Sequence, residues 1–327
     1  MLEYGNIGIV GFKRITLPLH HSVIPVFQSL FVSSKLDKVK GFNLEQEPTL
    51  AVRKEPNMFA KIRHVATNTE RYDTMAKFYQ TIFGMKQITT GLVDETGQHN
   101  PNRGHISDGV IGMALLAKRP GSQQGLDHFG FECEDVKEVL ERMKQKYPGL
   151  LFTKALSYVP FAGIRAQDPT GTQFDLSQKG MSNVREGYLK DGWEQPRWLN
   201  HIALRAREPD EVAEFYTTVL ELEETPAPAG DGAISLTDGK VRLVIRRCHD
   251  KFYRGLRQGF DHIGFKVESV EKTKKDLDEI ATAFPEAAPK KIAVGMQGGE
   301  LEKDLQACPI GKHVFADPDG LLLDISE

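Results

Sequence analysis

The 327-residue chain has little cysteine, no surplus of charge of either sign, and no apolar run long enough to cross a bilayer. Its three cysteines, Cys133, Cys248 and Cys308, are odd in number, far apart and in no CxxC pair. That excludes a disulfide framework and predicts free, mostly structural thiols in a reducing compartment, hence a cytoplasmic protein. With 42 Lys and Arg against 45 Asp and Glu, the net charge of −3 leaves no electrostatic footprint for nucleic acid or an anionic membrane. The N-terminal stretch is not expected to be a secretory signal either. The apolar stretches GNIGIVGF and SVIPVFQSLFV are separated by Lys13 and Arg14, and they lack a basic start, a continuous apolar region and a small-residue cleavage site. Met58 opens directly onto the first strand-like run, so residues 1–57 are expected to be a poorly ordered extension.

What the chain does have is an internal repeat. GLDHFGF at 125–131 and GFDHIGF at 259–265 say nearly the same thing, each with one His in an apolar strand pattern, followed by an acidic turn and an amphipathic helix pattern. A second His-bearing strand precedes each, KIRHVAT and WLNHIAL, and a DPxG turn with an Asp-bearing strand follows, DPTGTQFDLS and DPDGLLLDIS. The set His64, His128, Asp175 is therefore echoed by His201, His262, Asp324, in one order and at similar spacing. A length of this size suits two domains. The boundaries expected are 58–180 and 198–327, joined by the polar linker 181–197.

Within each half the pattern reads βαβββ twice, an α+β architecture of tandem modules. Tyr72, Met75, Tyr79 and Ile82 recur at helical spacing before Gly84. Phe78–Tyr79 matches Phe215–Tyr216 in the third unit, where Pro209 opens the helix, and these aromatics read as core. The fourth unit carries a longer stretch at about 285–310, rich in Gly, Pro and charge, expected to be a lid over the second site.

Four such units, with a His on the first strand of each and a DPxG turn leading to a carboxylate at the end of each pair, resemble the vicinal oxygen chelate superfamily. That group includes glyoxalase I, the bleomycin-resistance proteins and the type I extradiol dioxygenases. The resemblance covers residues 60–327, and its four-unit length is most like the extradiol dioxygenases. It implies two cupped mixed sheets, with metal ligands His64, His128 and Asp175 in one cup and His201, His262 and Asp324 in the other. Two imidazoles and one carboxylate suit Fe(II) with positions open for substrate and dioxygen, although Zn, Mn or Ni are also served by three donors and a water. The glyoxalase type would add a carboxylate on strands that here read GMALLAK and RLVIRRC. The resemblance thus implies a metal-dependent, Fe(II)-favoured, ring-cleaving dioxygenase acting on a catechol-like small molecule. The alternatives are a metal-dependent lyase or isomerase, or a non-catalytic binder of the bleomycin-resistance type. Homo-oligomerisation is left open. Both closing ligands are Asp where the superfamily usually has Glu, and neither IRAQDPTG nor HVFADPDG carries the extradiol enzymes' signature His and Tyr.

Other polar residues receive lesser roles. His313 shares a strand face with Phe315 and is expected near Asp324 as a proton carrier, which favours the C-terminal site as the working one. His105 reads as outer-sphere or surface. Asp127 and Asp261 are expected to point away from the neighbouring His residues by strand alternation. Arg165 and Arg246 are expected to be exposed or ion-paired.

Overall fold

A computed structural model describes residues 59–88, 104–118, 120–122, 124–154, 161, 163–181, 192–226, 232–248, 258–292, 298–308 and 310–327. The expectations for residues 1–57 and for most of 181–197 fall outside these residues. In the first half, β1 (Ala60–Thr69), α1 (Tyr72–Phe83), β2 (Lys86–Gln87), β3 (His105–Ser107) and β4 (Gly112–Ala117) are followed by β5 (Gly125–Cys133), α2 (Val136–Lys146), β6 (Phe152–Lys154), β7 (Ile164–Gln167) and β8 (Gln173–Gln178). The second half repeats this with β9 (Trp198–Ala206), α3 (Pro209–Leu220), β10 (Glu223–Thr225), β11 (Ile234–Thr237) and β12 (Arg242–Arg247), then β13 (Gly259–Lys266), α4 (Val270–Ala283), α5 (Gly298–Gln306), β14 (His313–Ala316) and β15 (Leu322–Ser326). The fourth unit departs from βαβββ. A single bridge from Lys290 to Ala316 stands where the third-last strand was expected, and part of the 285–310 stretch folds as α5 rather than loop.

The strands form two mixed sheets, an eight-stranded one ordered β2-β3-β4-β1-β5-β8-β7-β6 and a seven-stranded one ordered β10-β11-β12-β9-β13-β15-β14. In each, the two His-bearing strands and the Asp-bearing strand are immediate neighbours: β1-β5-β8 and β9-β13-β15. Local chemistry sets the helix ends. Gly84 in the left-handed region (φ 67°) closes α1, Asp135 caps α2 by accepting from the Lys137 and Glu138 amides, and Ser269 caps α4. Among the described residues, no helix is long and apolar enough to cross a membrane.

The helical stripes read as core are core, but the core is shared. Buried residues of both halves, from Ala60 to Ile325, belong to one contiguous cluster, in which Phe83 of α1 stacks on Phe265 of β13 at 3.7 Å. Four hydrogen bonds tie the halves in a two-fold pattern. Tyr79 Oη donates to Asp317 and Tyr216 Oη to Asp168, both at 2.9 Å. The Ile62 amide donates to Asp238 at 2.7 Å and the Leu199 amide to Asp108 at 2.9 Å. Asp168 and Asp317 are the first residues of the DPxG turns. One oxygen of each gathers the turn's own amides while the other receives the tyrosine of the opposite half. A turn signal in sequence is thus also a fastening between the halves.

Candidate metal centres

Each cup is built over a glycine in the middle strand. On β5, Gly130 lies opposite both His64 of β1 and Asp175 of β8; on β13, Gly264 lies opposite both His201 of β9 and Asp324 of β15. The flanking side chains lean across these glycines. A Cβ added at Gly264 would stand 1.8 Å from His201 Cε1 and 2.4 Å from Asp324 Oδ1, far inside van der Waals contact, so the position admits no side chain.

Both expected constellations come together. His64 and His128 face each other Nε2 to Nε2 at 3.2 Å, and His128 Nε2 lies 3.1 Å from Asp175 Oδ2. In the second half, His201 Nε2 and His262 Nε2 are 3.3 Å apart, and Asp324 Oδ2 lies 3.3 Å from the first and 3.1 Å from the second. All six side chains are buried. His105 is buried as well and lies close enough to His64 to lower its basicity, after burial and His128. His313 is not brought to the site. Strand β14 pairs with β15 so that Val314 lies opposite Asp324, and His313 lies opposite Ile325, with its charged neighbours Lys274, Glu271 and Glu302 on helices α4 and α5.

The expectation that Asp127 and Asp261 face away is corrected. The β1–β5 register slips so that Ala66 and Thr67 pair with His128 and Leu126, leaving Asp127 as an extra residue, and the β9–β13 register does the same at Asp261. Such a bulge breaks alternation and turns two successive side chains to one side. Asp127 Oδ2 therefore reaches His128 Nδ1 at 2.6 Å, and Asp261 Oδ2 reaches His262 Nδ1 at 2.9 Å. On His201 the outer nitrogen meets Asn200 Oδ1 at 2.7 Å. With Nδ1–H held outward, the Nε2 lone pairs point inward, the usual arrangement behind a metal-bound imidazole.

The two cups then diverge. In the first, Arg165 Nε and Nη2 donate to the two oxygens of Asp175 at 2.8 and 3.1 Å, and Nη2 also lies 3.1 Å from His128 Nε2. A guanidinium thus occupies the point where the ligand atoms converge, and Phe161 stacks on the His64 ring at 5.1 Å. Burial alone would raise the Asp175 carboxyl, but His128 and Arg165 override it and hold it well below the usual range. The ligand atoms of His64, His128 and Asp175 thus also form a group that could hold a metal ion, but with the Arg165 cation set beside them.

At the corresponding register in the second cup stands Val314, which brings no charge. Asp324 Oδ1 is buried there with no hydrogen-bond partner. The outer carboxylate is locked instead: Arg205 Nε donates to Asp261 Oδ1 at 2.7 Å and Arg246 Nη1 to Asp261 Oδ2 at 2.9 Å. Both arginines also hold Asp304 of α5, which docks that helix onto the cup. Cys308, expected to be a structural thiol, follows α5, and its Sγ joins the ligand atoms of His201, His262 and Asp324 in a group whose members all lie within 4.8 Å of one another. Burial pushes the two imidazoles down in pKa, but Asp324 raises His201, and Asp324 and Asp261 raise His262 well above its ordinary value. The carboxylates around these imidazoles thus favour positive charge at the site, as Asp127 and Asp175 do for His128 in the first cup.

The family model described as Glyoxalase/Bleomycin resistance protein/Dioxygenase superfamily matches residues 61–176 and 198–325. No curated protein matches the chain. Among solved structures, the Mn(II)-bound glyoxalase from Novosphingobium aromaticivorans is similar over 82% of this chain and 82% of its own, with a TM-score of 0.53 at 15% identity. A mutant of 4-hydroxymandelate synthase from Streptomyces coelicolor is similar over 81% of this chain and 91% of its own, with a TM-score of 0.50 at 11% identity. At such identities the likeness is one of fold.

Proposed function

The chain belongs to the Glyoxalase/Bleomycin resistance protein/Dioxygenase superfamily, and on that premise we propose that it is a metal-dependent enzyme. Its working centre is His201, His262 and Asp324, and its substrate is a small molecule presenting two adjacent oxygens. The observation that carries the reading is the convergence of two inward Nε2 atoms and a carboxylate whose second oxygen has no partner, all buried. When bound, a divalent metal supplies Lewis-acid polarisation of paired substrate oxygens. The chain's own residues do the rest. Asp261 and Asn200 fix the imidazole tautomers, Arg205 and Arg246 neutralise Asp261 and hold α5 down, and the apolar Val314 keeps a competing cation away from Asp324. Oxygenation of a catechol-like molecule with Fe(II) and metal-assisted isomerisation or lysis both begin from such a chelate.

Metal analysis of protein purified without oxygen tests the reading. About one equivalent of divalent metal per chain is expected, and Asp324→Ala should lose it, because two neutral imidazoles compensate the charge poorly. Asp175→Ala should keep it. A metal-free protein that still binds flat small molecules would make this a binder of the bleomycin-resistance kind and refute the enzyme reading.

A further inference from the structure

We propose that Cys308 is a fourth ligand of the C-terminal centre, a thiolate delivered by the inserted helix α5, and that the centre consequently serves isomerisation or lysis rather than oxygenation. The inference rests on the reading of His201, His262 and Asp324 as a metal site.

Three observations carry it. The first is position: Cys308 is buried, and its Sγ lies within 4.8 Å of the ligand atoms of both histidines and of Asp324, so a single ion can touch all four. The second is how that position is held. Cys308 follows helix α5, and Asp304 of that helix is clamped by Arg205 and Arg246, two fully buried cations that also lock the carboxylate behind His262. One pair of arginines therefore fixes a ligand imidazole and the segment that carries the thiol. Among the described residues the first cup has no such arginine pair: the register equivalents of Arg205 and Arg246 are Asn68, which donates to Asp127 at 2.8 Å, and Leu116.

The third is charge. Asp261 and Asp304 balance Arg205 and Arg246, which leaves Asp324, among the described residues, as the carboxylate at the ligand position with no Arg or Lys partner. A thiolate beside it makes two negative charges, which match a divalent cation in a site too buried for water to share the load. On binding, the thiol proton is released to solvent and the sulfur lone pair is donated to the ion. Sulfur with two imidazoles favours cobalt or a similarly soft ion over the harder oxygen-seeking ones. On an ion that takes six donors, four protein ligands would leave two positions, enough for a chelating substrate and none for dioxygen beside it.

Cobalt substitution of the full-length, metal-stripped chain tests this through a signal independent of turnover. Wild-type protein loaded with Co(II) should show a near-ultraviolet thiolate-to-cobalt charge-transfer band, saturating at one equivalent. Cys308→Ser should lose the band while still binding Co(II), with affinity weakened by at least about tenfold. The double variant Cys133→Ala/Cys248→Ala, whose only thiol is Cys308, should keep the band, and it decides the matter if Cys308→Ser fails to fold. Co(II) bound equally by wild type and Cys308→Ser, with no charge-transfer band, overturns the fourth ligand and leaves the three-donor centre intact. Co(II) still bound at full stoichiometry by Asp324→Ala, with the same spectrum, overturns the centre itself.

Discussion

Replacing Arg165 with valine, the residue that faces the ligand Asp in the other cup, should convert the first site from metal-free to metal-binding. The substitution removes three donor contacts, two to Asp175 and one to His128 Nε2, and leaves a carboxylate that is 1% exposed facing two imidazoles. Stripping one partner from a buried ion pair costs roughly 3–5 kcal/mol. The Arg165 side chain, however, is 37% exposed, so solvent screening reduces that to about 2 kcal/mol. In a chain of this size the loss corresponds to a melting temperature lower by about 3 °C in the presence of chelator. Adding a divalent metal at one hundred times its dissociation constant returns about 2.7 kcal/mol to whichever site binds it, enough to restore the variant. Thermal melts with EDTA and with Zn(II) or Mn(II), together with metal analysis, read both effects. The expected outcome is a destabilised variant that is rescued by metal and carries a second equivalent. If Arg165→Val takes up no second equivalent and metal raises its melting temperature no more than it raises that of the wild type, Arg165 is not standing in for a cation.

Other perturbations report on other parts of the account. Tyr79→Phe and Tyr216→Phe each strip a donor from a buried aspartate across the two halves, so each should lower stability by about 1–3 kcal/mol in urea titrations; no change would mean that these two hydrogen bonds do not help hold the halves together. Gly264→Ala should abolish metal binding, because its Cβ would overlap His201 and Asp324, whereas Gly130→Ala meets mainly Phe161 at 2.6 Å and should leave the metal content as it is. Equal effects of the two on metal would contradict the assignment. Burial raises Asp317 to about 6, above its unfolded value. Its contribution to stability is therefore full below the unfolded pKa and is lost as pH rises through about 6. Relative to wild type, Asp317→Asn should accordingly gain about 1 kcal/mol in urea titrations between pH 5 and pH 7.5, and a pH-independent difference would show that Asp317 does not titrate in that window.

The six candidate positions, which the structure brings into two clusters, were legible because each sits at a fixed place in a strand pattern that occurs twice, and duplication exposes a pattern that one copy would hide. The α+β class and the aromatic stripes of α1 and α3 were legible for the same reason. Alternation failed wherever the register was not uniform. The bulges at Asp127 and Asp261 are written in cross-strand pairing, which a single strand's sequence does not contain, so two carboxylates that orient ligands read as structural. His313 was misplaced because strand alternation gives a face but not which partner lies opposite, and β15 presents Asp324 to Val314. Arg165 and Cys308 depend on contacts between segments distant from their partners, one across β7–β8 and one through an insertion that folds as a helix. The cross-half use of Asp168 and Asp317 was hidden beneath a turn signal that fully accounted for them.

One cup is expected to bind metal and the other not. An anomalous-difference map from crystals of the protein loaded with Zn(II), collected at the zinc edge, locates the ion without reference to activity. One peak per chain is expected, bounded by His201 Nε2, His262 Nε2 and Asp324, with the Arg165 guanidinium still on Asp175 in the first cup. A peak among His64, His128 and Asp175, with the second cup empty, would contradict it.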